Sequence, residues 1–208
     1  MRVVLAVGAH PDDVELGCGG TLALHKMKGD KVFVLVLTRG EASGRPKTRE
    51  MECRTAAKIL GVNSLFLGGL RDTNVDDGRE TIDAIEKIID KVNPDIIYAP
   101  DYKDTHQDHR NTGYAIMSAA RRCKMILLYE CASTQRDFCP QVFVNIEKTF
   151  RVKRKATLVF GSQMNEHGPP SKYSLAVKAV EGLEKFRGYQ AGVNVAEAFE
   201  VGKFIFEI

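Results

Sequence analysis

The chain has 208 residues, 44% of them hydrophobic and 27% charged, and carries a formal net charge of +3. That length and balance suit one soluble domain with its own core, in no need of disulfide or metal staples. The mild charge argues against a nucleic-acid platform, and no apolar run approaches the roughly 20 residues of a membrane span.

The five cysteines (Cys18, Cys53, Cys123, Cys131 and Cys139) are odd in number, scattered, and form no C-x-x-C pair. They fit a reducing cytosol better than a disulfide framework or a thiolate zinc site. The opening run VVLAV is too short for a signal-peptide core, so a cytoplasmic location is expected.

Taken in chain order, RVVLAVG reads as a buried strand: short, branched and continuous. GGTLALHKMKG reads as a helix stopped by Gly29, and KVFVLVLT as a second strand. TREMECRTAAKILG reads as an amphipathic helix with Met51, Ala56, Ile59 and Leu60 on its apolar side. SLFLG is a third strand. ETIDAIEKIIDKV places Ile82, Ile85, Ile88 and Ile89 at helical spacing. PDIIYAP is a fourth strand, a helix follows from about Gln107 to Arg122, and MILLYE is a fifth strand. Strands alternating with helices over short links predict a doubly wound, mostly parallel α/β sheet in the order 3-2-1-4-5. Beyond Glu130 the pattern loosens. QVFVNI suggests a strand, KTFRVKRKATLVFG and SLAVKAVEGLEKFRG suggest helices, and FEVGKFIFEI suggests a closing strand or hairpin. We read residues 1–208 as one domain, with 1–130 as the core and 131–208 as a portion that shapes the substrate site. The basic stretch FRVKRKATL reads as the solvated face of a helix.

Two polar clusters interrupt this pattern. Residues 6–20, AVGAHPDDVELGCGG, end the first strand on His10, Pro11, Asp12 and Asp13. PDYKDTHQDHRNTG follows the fourth strand and holds Asp104, His106, Asp108 and His109. In a 3-2-1-4-5 sheet, strands one and four are neighbours whose crossovers leave in opposite directions. Ligands of open α/β sheets bind in the crevice beyond their carboxyl ends. His10, Asp13 and His109 then supply two imidazoles and a carboxylate to one Zn²⁺, leaving a position for water, which is the catalytic rather than the structural pattern. Asp12 becomes a free carboxylate in the position of a general base. His106, one helical turn before His109, can stabilise an oxyanion or protonate a leaving amine, with Asp108 orienting it.

Plainer readings compete with these. PDD can be a turn with a helix N-cap, and THQD can be a capping box with Thr105 at the cap and Asp108 bonding back. The glycines of GCGG do not match a G-x-G-x-x-G nucleotide loop and instead suit close approach of a helix N-terminus to the site. Cys18 reads as a small buried helix residue. His25 and His167 read as surface or loop residues.

These residues resemble the LmbE-like (PIG-L) zinc-dependent de-N-acetylases. The likeness is carried by AHPDDVELGCGG at 9–20, R-x-x-E with AAKILG at 49–61, DTHQDH at 104–109, and GSQ and AEAF at 161–163 and 196–199. It implies a Rossmann-like α/β fold and hydrolysis of the acetamido group of an N-acetylglucosamine-type sugar or glycoconjugate. It also implies Zn²⁺, with Fe²⁺ the other candidate, on His10, Asp13 and His109, with Asp12, His106 and Asp108 catalytic. Arg49 looks like an arginine that contacts substrate in relatives, the other reading being a salt bridge to Glu50 or Glu52 on its own helix. Asp104 stands where some relatives carry a tyrosine oxyanion donor, which puts it on the substrate side. Gln107 replaces the proline of the usual H-P-D-H motif. By analogy the chain would form a trimer or hexamer. The rival readings are a zinc amidase for a thiol-sugar conjugate, a non-haem iron oxygenase, and a non-catalytic sugar- or nucleotide-binding protein.

Overall fold

The computed structural model describes residues 1–164 and 169–206; His167 lies outside the described residues. Among the described residues, seven strands form one sheet in the order β3-β2-β1-β4-β5-β7-β6. The strands are β1 (Val3–Gly8), β2 (Lys31–Thr38), β3 (Ser64–Leu70), β4 (Ile96–Pro100), β5 (Met125–Tyr129), β6 (Val142–Asn145) and β7 (Ala196–Phe204). The first five are parallel and follow the predicted 3-2-1-4-5 order. β7 runs antiparallel to both of its neighbours, so the closing strand extends the same sheet.

Between the strands lie α1 (Asp13–Met27), α2 (Pro46–Leu60), α3 (Arg79–Val92), α4 (Gln107–Ala119), α5 (Phe150–Thr157) and α6 (Lys172–Ala191). Alternate residues of each central strand face opposite ways. Val4 and Ala6 therefore join a core with Leu22, Cys53, Ala156 and Val177, under α1, α2, α5 and α6. Leu5 and Val7 join a second core with Ile85, Ile88 and Ile116, under α3 and α4. Burial on both faces explains why these strands read as continuous apolar runs. No helix of the described residues is long and apolar enough to cross a membrane.

Several local readings change. Met51 is 65% exposed, because the inward stripe of α2 runs through Arg49, Cys53, Ala56, Ala57 and Leu60. A buried arginine displaces the stripe from the one apolar spacing predicts. His25 is not a free surface residue: Nδ1 lies 2.8 Å from Asp30 Oδ2 and Nε2 3.0 Å from Tyr98 Oη. The basic stretch is not wholly solvated either, since Lys153 is 3% exposed.

α1 starts at Asp13, six residues before the predicted start, and is broken at Cys18 (φ −144°, ψ 15°). Cys18 itself is fully buried, as expected. The glycines beside it let α1 settle onto the sheet. A Cβ on Gly17 would lie 2.1 Å from the Tyr129 ring, whose hydroxyl donates to Val7 O at 2.9 Å. Gly17→Ala is expected to cost about 1–3 kcal/mol through overpacking, measured as a lowered urea midpoint; an unchanged midpoint would contradict this contact.

Candidate metal centre and catalytic crevice

The register of β1 on β4 (Ala6 opposite Tyr98) brings the carboxyl ends of the two strands level. α1 leaves β1 toward one face and α4 leaves β4 toward the other, so the two polar clusters meet across the opening. His10 Nδ1 lies 3.3 Å from His109 Nε2. Asp13 sits against both: Oδ1 is 3.1 Å from His109 Nε2 and Oδ2 is 3.5 Å from His10 Nδ1. The Asp13 carboxylate is held in turn by the His10 backbone N–H, which donates to Oδ2 at 2.8 Å.

The outer nitrogens of both rings face carboxylates. His10 Nε2 is 3.0 Å from Asp108 Oδ2 and 3.1 Å from Asp72 Oδ1. His109 Nδ1 is 3.2 Å from Asp104 Oδ2. A ring proton on each outer nitrogen satisfies these carboxylates and turns two imidazole lone pairs inward, toward each other and toward Asp13. Three electron-pair donors converging on one point could hold a divalent cation.

Burial opposes charge on His10 and His109. Asp13 and the outer carboxylates outweigh it and lift both above the ordinary imidazole range, His109 to about 10. Burial likewise opposes charge on Asp13, but the two imidazoles hold its carboxyl well below the usual range. The adjacent Asp12 behaves oppositely. Burial pushes it up to about 6, with Arg49 pulling the other way and Asp13 adding repulsion. Its backbone takes φ 113°, a strained conformation for a residue other than glycine. That strain separates the side-chain directions of two neighbouring aspartates. Glu15, buried behind them, is pushed up to about 8 by desolvation and is mostly uncharged at neutral pH.

His106 caps α4, and its Nδ1 accepts the Asp108 backbone N–H at 3.3 Å. In the neutral ring the proton is therefore on Nε2. The ring stacks on His109 at 4.5 Å between centroids, and burial together with the neighbouring imidazoles lowers its pKa. His10, Asp12, Asp13, Asp72, His106 and His109 line a cavity of about 660 Å³ whose far wall is the start of α6, with Tyr173, Leu175, Ala176 and Ala179.

Residues 5–120 match the family model of PIG-L, GlcNAc-PI de-N-acetylase. The chain belongs to the PIG-L family. This PIG-L chain is 40% identical over 162 residues to the uncharacterized deacetylase YaiS of Escherichia coli strain K12, covering 74% of this chain and 87% of that one. It is 28% identical to the diacetylchitobiose deacetylase of Thermococcus kodakarensis over 99% of this chain and 85% of the relative. The crystal structure of N,N'-diacetylchitobiose deacetylase from Pyrococcus horikoshii superposes with a TM-score of 0.85 at 25% identity, covering 96% and 83% of the two chains. PIG-L deacetylases are hydrolytic enzymes.

Within this PIG-L site the structure brings His10, Asp12, Asp13, His106 and His109 together, while Asp104 and Asp108 take other partners than the sequence suggested and Arg49 bonds outside its own helix. Asp104 is fully buried and supports His109; its other oxygen accepts the His106 backbone N–H at 2.7 Å. It does not face the cavity as a substrate group, because that loop folds under α4. The Asp108 carboxylate orients His10, and only its amide reaches His106. Thr105 is not the cap; its hydroxyl donates to Ser133 O. Arg49 bonds neither Glu50 nor Glu52. It is 2% exposed, and Nη2 donates to Pro11 O at 2.6 Å and to Asp12 Oδ2 at 3.1 Å. Its Nε and Nη1 are buried without a partner at the cavity wall.

Sequence reasoning missed Asp72. The polar run RDTN at the end of β3 was its one signal. Contact with His10 depends on the bend at Thr73 (φ 66°), whose N–H donates to Asp108 Oδ2 at 2.9 Å. Arg49→Met leaves the buried Asp12 carboxylate unpaired and is expected to cost about 3 kcal/mol in chemical unfolding; a loss near zero would show that the pair contributes nothing to the fold.

Proposed function

We propose that this chain removes the N-acetyl group from an N-acetylglucosamine-type sugar or glycoconjugate, with Zn²⁺ or Fe²⁺ held by His10 Nδ1, Asp13 and His109 Nε2. The observation that carries the proposal is the 3.3 Å approach of two inward ring nitrogens whose outer nitrogens already face carboxylates. Two lone pairs and a carboxylate repel one another in a buried site unless protons or a cation lie between them. The family and the named activities of its relatives supply the reaction class.

When bound, such a cation polarises the amide carbonyl as a Lewis acid and makes a water molecule acidic near neutral pH. The chain's own residues do the rest. The Asp12 oxygen not engaged by Arg49 takes a proton from the attacking water, and its raised pKa suits that role. Arg49 holds the other oxygen, so the base keeps one orientation. His106, donating from Nε2, stabilises charge developing on the carbonyl oxygen. The proton taken by Asp12 then passes to the departing sugar amine. Arg49 also lines the cavity, which supports the reading that it contacts substrate. Tyr173, Leu175 and Ala176 support a substrate-shaping role for residues 131–208, and the free cysteines, four of the five buried, support a cytoplasmic location.

Acetate release from a panel of N-acetylglucosaminides should appear with zinc-loaded protein and vanish on chelation; release that survives chelation would refute the metal requirement. Asp12→Asn should keep fold and metal but lose at least about 100-fold in kcat. Near-normal turnover would remove Asp12 from the reaction. His109→Ala should fold without binding metal, and an intact one-to-one stoichiometry would contradict its assignment as a ligand.

A further inference from the structure

The break in α1 has an ion pair built into it. In an unbroken helix the N–H groups of Gly20 and Thr21 would bond the carbonyls of Leu16 and Gly17. Instead Gly20 N–H donates to Glu197 Oε1 at 2.8 Å and Thr21 N–H to Glu197 Oε2 at 2.7 Å. Leu16 O, left without Gly20, accepts from Lys153 Nζ at 2.6 Å. Lys153 Nζ closes the circuit on Glu197 Oε1 at 2.6 Å, and Glu184 lies 2.5 Å away. The lysine thus caps the carbonyl end of the first turn, and Glu197 caps the amino end of the helical stretch beyond the break. Each charge has the sign that a helix terminus favours. Lys153 and Glu197 are both 3% exposed. Burial opposes charge on Lys153, but Glu184 and Glu197 hold its pKa above the ordinary lysine value.

This arrangement adjoins the site through the first turn of α1. The turn that Lys153 terminates begins at Asp13, with Asp12 as its cap. An uninterrupted α1 would fix that turn along the axis of residues 19–27; the inserted pair gives it a course of its own. All three charges come from α5, α6 and β7, outside the segment that matches the family model.

We propose that Lys153 and Glu197 are positioning residues: their ion pair, inserted in the helix break at Cys18, sets the course of the turn that aims Asp12 and Asp13 into the crevice. This rests on the roles proposed for those two aspartates in the deacetylation.

The test compares wild type with Lys153→Met/Glu197→Gln, which removes both charges of the pair together; Glu184, left buried without its lysine, is then expected to take up a proton. Zinc affinity is read by competition with a chelator, and acetate release at temperatures well below the melt. Positioning predicts a cooperatively folding double variant that binds zinc at least tenfold more weakly. Its kcat should fall at least tenfold with KM within threefold, and Lys153→Arg should recover part of both. A folded double variant with zinc affinity and kcat within twofold of wild type would overturn the proposal and leave the pair a stabilising feature only. Should the double variant not fold, Glu197→Gln alone carries the same comparison. Wild type that binds zinc but releases no acetate would defeat the substrate reading alone, and the zinc affinities would still decide the ion pair. Wild type that binds no zinc would defeat both.

Discussion

Two imidazole nitrogens held 3.3 Å apart, with a carboxylate against both, set the terms for the rest of this structure. Groups that donate electron pairs repel when brought together away from water, so something must force them into register. Part of that force is the parallel pairing of β1 on β4, which delivers both loops at one level. The remainder is a carboxylate behind each ring: Asp108 and Asp72 for His10, Asp104 for His109. These partners fix ring orientation and tautomer together, and they come from two segments: the turn after β3, and the β4–α4 connection with the first turn of α4.

Chemically identical side chains differ here because their neighbours differ. Asp13 sits between two imidazoles and is strongly acidic; Asp12, one residue away, is desolvated and is held by an arginine at one oxygen only. Glu15, with no cation bonded to it, is pushed toward its neutral form by burial. The backbone of Asp12 and the break in α1 make this division possible. Without them, consecutive residues of a regular helix would point along fixed directions 100° apart. The C-terminal portion contributes to the same end. α6 forms a wall of the cavity, while Lys153 and Glu197 reach the first motif from below the sheet's opening.

Much of this was legible in the sequence, for physical reasons that also mark the limits. Strand order followed from the alternation of apolar runs with helical periodicity and from the handedness of crossovers. The meeting of His10 with His109 followed from that order. Pairings set by loop conformation were not legible. Asp104 and Asp108 stand four residues apart with equal claims on either histidine, and the cap at His106 decides which carboxylate meets which ring. Asp72 depends on a left-handed bend at a threonine, a residue type that gives no warning of one. Lys153 departs from the reading of its basic stretch as the solvated face of a helix, and Arg49 does not take the glutamates of its own helix as partners. Both are buried against acidic partners contributed by distant segments, and one-dimensional periodicity does not register such pairs.

The most direct measurement is anomalous diffraction at the zinc absorption edge from crystals grown with zinc. One strong peak is expected at about 2.0–2.2 Å from His10 Nδ1, His109 Nε2 and an Asp13 oxygen, with Asp12 and His106 outside its coordination. A peak on the outer nitrogens beside Asp104 or Asp108, or no peak in the crevice at all, would contradict it.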